Sequence, residues 1–534
     1  MNKQRLAAVQ SVAVLLISMV LCGLLAVSFG KELNWDLANY HYYNPFVFLH
    51  QRWLMDYWPT SFVHVYFTPT LDFLTYFLIN NFAPKTAIFM LGALHGINIW
   101  LLFCIARLLL KTFHQVRYPD LFALILALLG MYGPTALTGI GSFQHDDLVS
   151  LFVLGFVYLQ LTCWIKYTQT QKMPRFLFTS AGVLLGLGIG GKLTAAVFAV
   201  GAGAALLLIA VPWRQRIGYL VWLGSAVLLG IIFSSGYWML HLWQQFQNPF
   251  FPLLNGIFQS PYFPAHNWKD PRFLPHGWLQ TLFYPFYFSF DGRTGDAEFH
   301  DFRFAIVYVL YACYALTLFR KKAVTSSTIA INWLLLFFLF TYIVWQLYFS
   351  IMRYVVALEM LAPLVIFLLL YRLLHSPGWR FSVATGVFIF IAVSMMPTYM
   401  VRAPWYLGTY FNVLMPQWVQ EDKTNALIMV PYPAYAFYTN PRPPAYLLPF
   451  LPAQWHVTGI PFLHKKYEVP TQVYAFVRGI HPATLYLLAS PEYLPDMRHI
   501  ASTMGFSTLI QCGKITNDRQ AMTHEDLLIC KLKK

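Results

Sequence analysis

The sequence predicts a mainly α fold, a polytopic transmembrane bundle of about 11 spans with interfacial outer-loop helices and a small C-terminal α/β domain. Of the 534 residues, 58% are hydrophobic and 11% are charged, whereas soluble domains carry about 25% charged residues. A chain of this size cannot bury so much apolar surface in a soluble core. Apolar runs long enough to cross a bilayer recur through the first 400 or so residues. Lys and Arg cluster in alternate connections between these runs.

The first apolar run covers about residues 7–29 and follows the positively charged start "MNKQR". It is longer than the roughly 7–15-residue apolar core of a signal peptide. We therefore expect an uncleaved signal anchor with a cytoplasmic N-terminus. The alternative is cleavage near "LLAVSFG", which would leave Asp36 close to a free N-terminus.

Ten further runs are predicted to span the membrane. Their approximate ranges are 86–110, 119–137, 146–165, 176–191, 193–211, 217–240, 303–319, 328–350, 354–371 and 381–399. With the N-terminus inside, each dense basic cluster falls on the cytoplasmic side, as the positive-inside rule requires. An odd number of spans then places the C-terminal segment outside. The basic residues are Lys111 and Arg117; Lys166, Lys172 and Arg175; Arg214 and Arg216; Arg320, Lys321 and Lys322; Arg372 and Arg380.

Two domains follow from this reading: a transmembrane domain over 1–401, with outer loops at about 30–85 and 242–302, and an extracytoplasmic α/β domain over 402–534. The tail contains the short apolar runs "ALIMV", "TLYLLA", "STLIQC" and "LLICKL", which are typical of strands. Cys512 and Cys530 end two of them. A disulfide and two free thiols both remain open, because the sequence does not fix the Cα separation.

Ionisable residues gather at the outer ends of the predicted spans, where they are costly unless they face a cavity or one another. Sparse charge at the midplane and the lack of an internal repeat argue against a typical transporter. Four separate outer elements carry these residues: Asp36 after the first span; His145, Asp146 and Asp147 at the fourth; Lys192 between the fifth and sixth; and Arg353 between the ninth and tenth.

An enzyme that transfers a sugar from a lipid phosphate would need acidic and basic side chains at the outer ends of its spans, where the phosphate lies. Asp36 can act as general base toward an acceptor hydroxyl, and Lys192 and Arg353 can hold the phosphate and stabilise its developing charge. Arg272 in "KDPRF" is a further candidate for donor phosphate binding. Tyr40 and His41, just beyond Asp36, can line the sugar site.

These motifs resemble the GT-C glycosyltransferases, polytopic membrane enzymes that use polyprenyl-phosphate sugars. The resemblance lies in "NWDLANYHYYNP" after the first span, "HDD" later, the "GKLT" turn, a late "RY" and the outer C-terminal domain. The sequence is most similar to bacterial members of this family. It implies a catalytic base at Asp36, an acceptor or metal role for Asp146 and Asp147, and donor phosphate binding at Arg353. Asp36 stands alone rather than in an acidic pair, and the oligosaccharyltransferase motif "WWDYG" is absent.

The sequence thus predicts an inverting hexosyl- or pentosyltransferase of the bacterial inner membrane that acts at the periplasmic face. Its expected partners are a polyprenyl-phosphate sugar, a glycan, lipid or protein acceptor, and membrane lipid, with no nucleic acid. No cofactor is expected, although a divalent cation at Asp36, Asp146 and Asp147 is an alternative. Two rival functions stay open, a flippase for lipid-linked sugars and a glycan polymerase or ligase.

Each site residue also has a structural explanation. Asp36 can cap a helix, and the acids of "HDD" favour a helix N-terminus in any case. Tyr40 and His41 can belong to an aromatic interface belt. Lys192 can snorkel to the interface, and Arg353 can anchor its turn or pair with Glu359. The residues around Lys192 do not form a P-loop, because Leu193 stands where Ser or Thr is required.

Overall fold

We describe a computed structural model of the chain. The described residues are 3–57, 63–113, 116–267, 269–295, 298–318, 329–396, 402–403, 405, 408–433, 444–463, 466–467, 471–517 and 526–534. Within them the protein is mainly helical, with a small sheet near the C-terminus. The chain divides into two compact units, which we describe separately. Unit 1 comprises Met1–Phe29, Ile88–Phe250 and Leu254–Met400; unit 2 comprises Gly30–Ala87, Phe251–Leu253 and Val401–Lys534.

Nineteen α-helices lie in the described part of the chain. They are α1 Lys3–Phe29, α2 Tyr43–Leu49, α3 Asp72–Asn81, α4 Pro84–Leu110, α5 Pro119–Met131, α6 Pro134–Thr138, α7 Asp146–Thr170, α8 Arg175–Gly191, α9 Ala196–Leu208, α10 Trp213–Phe246, α11 Asn255–Phe258, α12 Gly277–Asp291, α13 Arg303–Leu318, α14 Ile329–Tyr348, α15 Val356–Leu373, α16 Pro377–Ser394, α17 Gln417–Gln420, α18 Thr471–Ile480 and α19 Leu494–Thr503.

The nine strands of the described residues are short and lie in unit 2. They are β1 Lys31–Glu32, β2 Asp56–Tyr57, β3 Arg402–Ala403, β4 Ala426–Pro433, β5 His456–Leu463, β6 Lys466–Tyr467, β7 Thr484–Ala489, β8 Thr508–Ile515 and β9 Leu527–Lys533. The four strands predicted from the tail correspond to β4, β7, β8 and β9.

Seven helices of the described residues are long and apolar enough to cross a bilayer, which makes the chain a multi-pass membrane protein. The predicted count of about 11 spans is not confirmed. All of the remaining four predicted spans are helical but contain fewer than 18 residues, as α5, α8, α9 and α13 show. At 1.5 Å per residue, the 13 residues of α5 cover roughly 20 Å, less than the hydrocarbon thickness of about 30 Å.

Small residues bring helices of unit 1 into close contact. A Cβ on Gly92 of α4 would lie 2.6 Å from the Cys22 carbonyl oxygen of α1, and one on Gly96 would lie 2.4 Å from the Ser18 carbonyl oxygen. Side chains at these positions would push the two helices apart. This small-xxx-small spacing is the packing mode expected of membrane helices, which associate without a hydrophobic driving force.

The first outer loop and the C-terminal segment fold together as unit 2. Strand β2 adds to the edge of a sheet with the order β2-β5-β4-β7-β9-β8, and β1 pairs with β3. Strands β4, β5 and β7 are parallel, as are β2 and β5, while β9 is antiparallel to both β7 and β8. This grouping differs from the division at residue 401 that the sequence suggests, because the loop contributes its own strand to the tail's sheet.

Arg52 fixes the loop to that sheet. Its guanidinium donates to both oxygens of Asp56 at 2.8 Å and to the carbonyl oxygens of Ala453 and Trp455 at 2.6 Å. The side chains of Arg52 and Asp56 are buried, and the Tyr43 hydroxyl donates to Asp56 at 2.6 Å. A buried guanidinium is tolerated only when its donors are satisfied in this way.

Because paired strands must share one aqueous compartment, residues 30–57 and the C-terminal sheet lie on the same side of the membrane. The chain between them therefore crosses the bilayer an even number of times. Six of the seven candidate spans found in the described residues follow the loop, which satisfies this condition.

We expect single cysteines at Gln51 and Lys534, each placed in a variant without Cys22, Cys104, Cys163 and Cys313, to react alike with a membrane-impermeant thiol reagent. Gln51 lies in an exposed turn and Lys534 at the exposed C-terminal residue. Both sites should label in intact spheroplasts, or both only after permeabilisation. Labelling of one site alone in intact spheroplasts would contradict the shared compartment.

A disulfide joins Cys512 of β8 to Cys530 of β9, where the two residues are direct cross-strand partners. The structure thus answers the question that the sequence leaves open. Disulfides persist in oxidising compartments such as the bacterial periplasm.

Asp422 lies just before strand β4 of the C-terminal sheet, and its carboxylate accepts several hydrogen bonds. Lys531 Nζ contacts its Oδ2 at 2.6 Å, the Thr424 amide donates to its Oδ1 at 2.9 Å, and the Tyr486 hydroxyl also donates to it. Burial alone would raise the pKa of this carboxyl, but the bonds from Lys531, Thr424 and Tyr486 lower its pKa well below the usual range.

The lowered pKa means that ionised Asp422 stabilises the fold above the ordinary carboxyl pKa of about 3.9, and that this contribution disappears as the pH falls toward the folded-state pKa. We expect Asp422→Asn to lower the free energy of unfolding by about 1–3 kcal/mol at pH 7. The difference from wild type should narrow below about pH 4. Thermal unfolding of the detergent-purified protein across this pH range measures the effect.

Asp526→Asn is the matched control, because Asp526 forms an exposed pair with Lys514 at 2.6 Å. It should change stability by less than about 1 kcal/mol at any pH. The assigned role would be ruled out if the two substitutions lowered the free energy of unfolding equally. It would also be ruled out if the difference between Asp422→Asn and wild type stayed constant down to pH 3.

Candidate functional site

Three predicted site residues of unit 1 meet at one end of its helices. Asp146 begins α7, Lys192 follows α8, and Arg353 lies in the 3₁₀ turn Met352–Val355 that precedes α15. Lys192 Nζ lies 2.7 Å from Asp146 Oδ1, and Arg353 NH1 lies 3.5 Å from Asp146 Oδ2. Segments separated by as many as 207 residues therefore bring two cations to one carboxylate.

The local backbone explains how these side chains reach one another. His145 adopts a left-handed conformation, with φ of 66°, and this turn directs the chain into α7. Lys192 leaves the helical conformation, with φ of −152° and ψ of 108°, so α8 ends there. Its Nζ also donates to the Gln144 carbonyl oxygen at 2.9 Å. A left-handed non-glycine residue is uncommon, and such residues are often found at functional sites.

The cluster carries a net positive charge. Lys192 and Arg353 contribute two positive charges and Asp146 one negative, which leaves +1. The side chains of Lys192, Arg353 and Asp146 are 15%, 10% and 9% exposed, so the cluster is largely desolvated and Lys192 is its most accessible member. The Tyr354 ring lies 5.3 Å from Lys192 Nζ and 5.1 Å from the Arg353 guanidinium carbon. Lys192 and Arg353, each next to a helix end, therefore offer an anion two partly desolvated hydrogen-bond donors.

Asp147, the second acid of the "HDD" motif, points elsewhere. Its Oδ2 lies 3.7 Å from His95 Nδ1, and its backbone carbonyl accepts from Asn98 at 2.9 Å. A Cβ on Gly139 would come within 2.3 Å of the Asp147 carboxylate, so a larger residue there would force this carboxylate to move. Adjacent acids on a helix face different directions, as the sequence predicts. Asp147 connects α7 to α4, while Asp146 faces the cations.

A second buried charged group in unit 1 contains Arg303, Asp301 and Glu359, and no sequence motif indicates that these residues lie together. Arg303, which is fully buried, has its Nε 3.1 Å from Asp301 Oδ1. Its NH2 donates to the Tyr132 carbonyl at 2.9 Å, at the C-terminal end of α5. Buried Glu359 of α15 accepts from the Thr135 amide at 3.1 Å, at the start of α6. The cation thus meets the negative end of one helix and the anion the positive end of the next.

Arg353 pairs with Asp146, and Glu359 contacts the start of α6 instead of Arg353. Arg272 lies in an exposed loop, where its guanidinium pairs with Asp270 two residues away, with Nε 2.9 Å from Asp270 Oδ1.

In unit 2, Asp36 lies directly before a π-helical turn, Leu37–His41, and is only 4% exposed. Its side chain makes no capping hydrogen bond to this turn, although the sequence suggests a cap as one explanation. The Leu37 amide is instead satisfied by the Asn34 side chain at 2.7 Å. Single π-turns are rare and often mark functional sites. A carboxylate buried at such a turn is a candidate for acid–base chemistry.

His41 ends the same turn and contacts Asp72, the first residue of α3. His41 Nδ1 lies 2.6 Å from Asp72 Oδ1, and both side chains are buried. Tyr40 packs between His41 and His64, with ring centroids 4.1 Å and 5.0 Å away. His64 is half-buried, as are the neighbouring rings of Trp35 and Phe67. Unit 2 therefore contains a buried polar group bordered by partly accessible aromatic rings.

One group of histidine and aspartate side chains among the described residues could hold a divalent cation, because imidazole and carboxylate are metal-ligand types. Asp146 fits a cation ligand poorly, because Lys192 and Arg353 already neutralise its carboxylate. The cation expected as an alternative at Asp36, Asp146 and Asp147 remains a prediction.

No protein-family model matches this sequence, and no curated protein matches it significantly.

Proposed function

We propose that the protein is an inverting GT-C-type glycosyltransferase, which moves a sugar from a polyprenyl-phosphate donor to an acceptor at the periplasmic face of a bacterial inner membrane. The observation that carries the proposal is the contact of Lys192 and Arg353 with Asp146 at one end of the helices of unit 1. A net positive, partly accessible cluster at helix ends suits a phosphate whose lipid tail lies in the bilayer.

The proposed reaction is a single displacement. An acceptor oxygen attacks the anomeric carbon as the bond between that carbon and the phosphate oxygen breaks, and the bonding electrons leave with the polyprenyl phosphate. Asp36 takes the proton of the acceptor hydroxyl. Lys192 and Arg353 stabilise the charge that develops on the departing phosphate. The disulfide of the C-terminal sheet supports the periplasmic assignment, since that compartment is oxidising.

The experiment is a donor screen with purified protein in nanodiscs. Radiolabelled polyprenyl-phosphate hexoses and pentoses are supplied with a membrane-glycolipid extract as acceptor, and both labelled product and free sugar are measured. We expect transfer or slow hydrolysis of at least one donor. If no donor reacts while the protein moves labelled lipid-linked sugar between leaflets, the flippase alternative replaces the enzyme.

Donor binding provides a test of the cation cluster. We expect Arg353→Gln to raise the donor KM by roughly 10- to 100-fold, the loss of one charge-assisted hydrogen bond. Arg272→Gln serves as the comparison, because Arg272 lies in an exposed loop outside this cluster, and it should leave the donor KM within a few-fold of wild type. An unchanged KM for Arg353→Gln would remove the cluster from donor binding.

A further inference from the structure

We propose that Asp146 competes with the donor phosphate for Lys192 and Arg353: the phosphate displaces its carboxylate on binding, and the carboxylate returns to the two cations as polyprenyl phosphate leaves. The inference rests on the proposed glycosyltransfer and deepens it, because it gives Asp146 a role in donor exchange instead of the acceptor or metal role that the resemblance implies. Its basis is the contact of one carboxylate with both cations of the cluster.

The Asp146 carboxylate faces the donors that a phosphate would use. Its Oδ1 lies 2.7 Å from Lys192 Nζ, and its Oδ2 lies 3.5 Å from Arg353 NH1. A phosphate also presents separate oxygens to a lysine and an arginine, and it forms the same kind of charge-assisted hydrogen bond. Like charges repel at such short range, so a phosphate that bonds to the same two donors forces the carboxylate away.

The contact of Asp146 with Arg353 is loose. Its 3.5 Å separation is longer than the roughly 2.7–2.9 Å of a charge-assisted hydrogen bond. Asp146 Oδ2 accepts no hydrogen bond from any residue that the structure describes, whereas Oδ1 accepts one from Lys192. A phosphate oxygen at normal distance from Arg353 would therefore gain more from this guanidinium than the carboxylate does.

Both cations have supports other than Asp146. Lys192 Nζ donates to the Gln144 carbonyl oxygen at 2.9 Å. The Tyr354 ring lies 5.3 Å from Lys192 Nζ and 5.1 Å from the Arg353 guanidinium carbon, and an aromatic ring attracts a cation at this range. What the pair does require is a counter-anion, because two largely desolvated cations are costly without one. Asp146 supplies that anion, and a phosphate can replace it.

The charges of donor and product give this exchange a consequence for turnover. The donor is a phosphate diester with one negative charge, whereas polyprenyl phosphate is a monoester with a charge of about −1.5 to −2 at pH 7. The cation pair therefore holds the product more strongly than the donor, which makes product release the harder step. The returning Asp146 carboxylate replaces the departing phosphate, so the cations keep a counter-anion throughout. Without this carboxylate the product leaves more slowly.

The test measures binding of farnesyl phosphate, a short isoprenyl monophosphate, to the protein in nanodiscs. We expect Asp146→Asn to lower its Kd by about 10-fold or more, because the cations lose a competing negative charge in direct contact. Inorganic phosphate should bind more weakly than farnesyl phosphate but gain by a similar factor. Farnesol, which lacks the phosphate, should bind wild type and variant alike.

Asp120→Asn is the matched control, because Asp120 also lies beside a lysine and an arginine. Its Oδ1 is 3.4 Å from Lys111 Nζ and 3.9 Å from Arg107 Nε, but its side chain is 36% exposed. It lies outside the proposed phosphate site, and an exposed pair of this kind contributes little. The Kd of farnesyl phosphate should therefore stay within about two-fold of wild type.

Turnover distinguishes competition from support of the cations. We expect Asp146→Asn to lower both the donor KM and kcat by roughly 3- to 10-fold, because product release slows while the transfer step does not change. The rate of a single turnover should stay near wild type. Loss of a residue that only holds the cations in place would instead raise the donor KM.

A second background keeps the test decisive even if Asp146→Asn alone does not fold. In the double variant Arg353→Gln/Asp146→Asn, Lys192 alone leaves the cluster at the net charge of +1 that wild type has. No second cation is then left without a counter-anion. The double variant should bind farnesyl phosphate about 10-fold more tightly than Arg353→Gln does.

The outcomes separate this inference from the proposed function. If wild type transfers sugar but removal of Asp146 weakens farnesyl phosphate binding in both backgrounds, or leaves it unchanged, the inference is overturned and the proposed function stands. If wild type reacts with no donor while removal of Asp146 tightens phosphate binding, the proposed function fails and competition for the cations stands. If farnesyl phosphate binds to none of these proteins, the inference is overturned.

Discussion

Asp36→Asn is expected to lower kcat by about 10²- to 10⁴-fold, the usual contribution of a positioned general base. The substitution keeps the size of the side chain but removes its negative charge and its ability to take a proton, and it replaces one acceptor oxygen with a donor. Asp36 is buried and makes no capping bond to the π-turn that follows it, so the fold does not use its charge as a helix cap. We expect the donor KM to stay within a few-fold of wild type, because phosphate binding is assigned to other residues.

The measurement is single-turnover transfer from the donor that wild type uses best. Asp36→Glu is the companion variant, since it retains the carboxylate but moves it by one methylene group, and it should recover part of the lost rate. Full turnover by Asp36→Asn would eliminate Asp36 as the base. Loss of activity accompanied by a lowered unfolding temperature would indicate a structural carboxylate instead.

Arg303→Met is expected to cost about 3–5 kcal/mol of unfolding free energy, the range seen when one partner of a buried ion pair is removed. Methionine approximates the volume of the arginine stem, so the cost comes from lost electrostatics rather than from a cavity. Asp301 would remain buried without its cation, and the Tyr132 carbonyl would lose its donor. Equilibrium unfolding in detergent micelles measures the change.

The chain contains a matched control for this substitution. Arg293 pairs with Asp291, also two residues away, but those side chains are 37% and 42% exposed, compared with 0% and 1% for Arg303 and Asp301. Arg293→Met should therefore cost less than about 1 kcal/mol. Adding Asp301→Asn to Arg303→Met should recover part of the stability, because it removes the buried charge. Equal costs for the two arginine substitutions would refute the burial argument.

Local sequence patterns were sufficient to predict four strands of the tail and the helical character of the apolar runs, but not strand β5, His456–Leu463, whose sequence "HVTGIPFL" is interrupted by Gly and Pro. The number of spans is harder to predict, because composition does not distinguish a full span from a shorter apolar helix such as α5 or α9. Hydropathy measures how apolar a run is, and where the helix ends depends on turns and tertiary contacts. Pro119 and Pro134 begin α5 and α6, and α5 ends at Met131, three residues before the second proline.

The candidate site was predictable to the extent that charge in an apolar chain is conspicuous. Asp146, Lys192 and Arg353 were selected on that basis, and in the structure they are in contact. Asp72 was overlooked, although it is a lone carboxylate in the aromatic stretch "TPTLDFLTYFL" and could have been selected by the same criterion. Glu359 was considered only as a partner for Arg353. No sequence pattern predicts that its carboxylate contacts the start of α6, since 224 residues separate it from Thr135.

The pairing of β2 with β5 has a consequence for biosynthesis. About 400 residues separate the two strands, and a ribosome adding 5–20 residues per second needs roughly 20–80 s to make that interval. Throughout this time Asp56 and Arg52 have been translated but lack the Ala453 and Trp455 carbonyls. The loop therefore cannot complete this pairing before β5 has been synthesised, and slowed elongation should lengthen the protease-sensitive period of the loop.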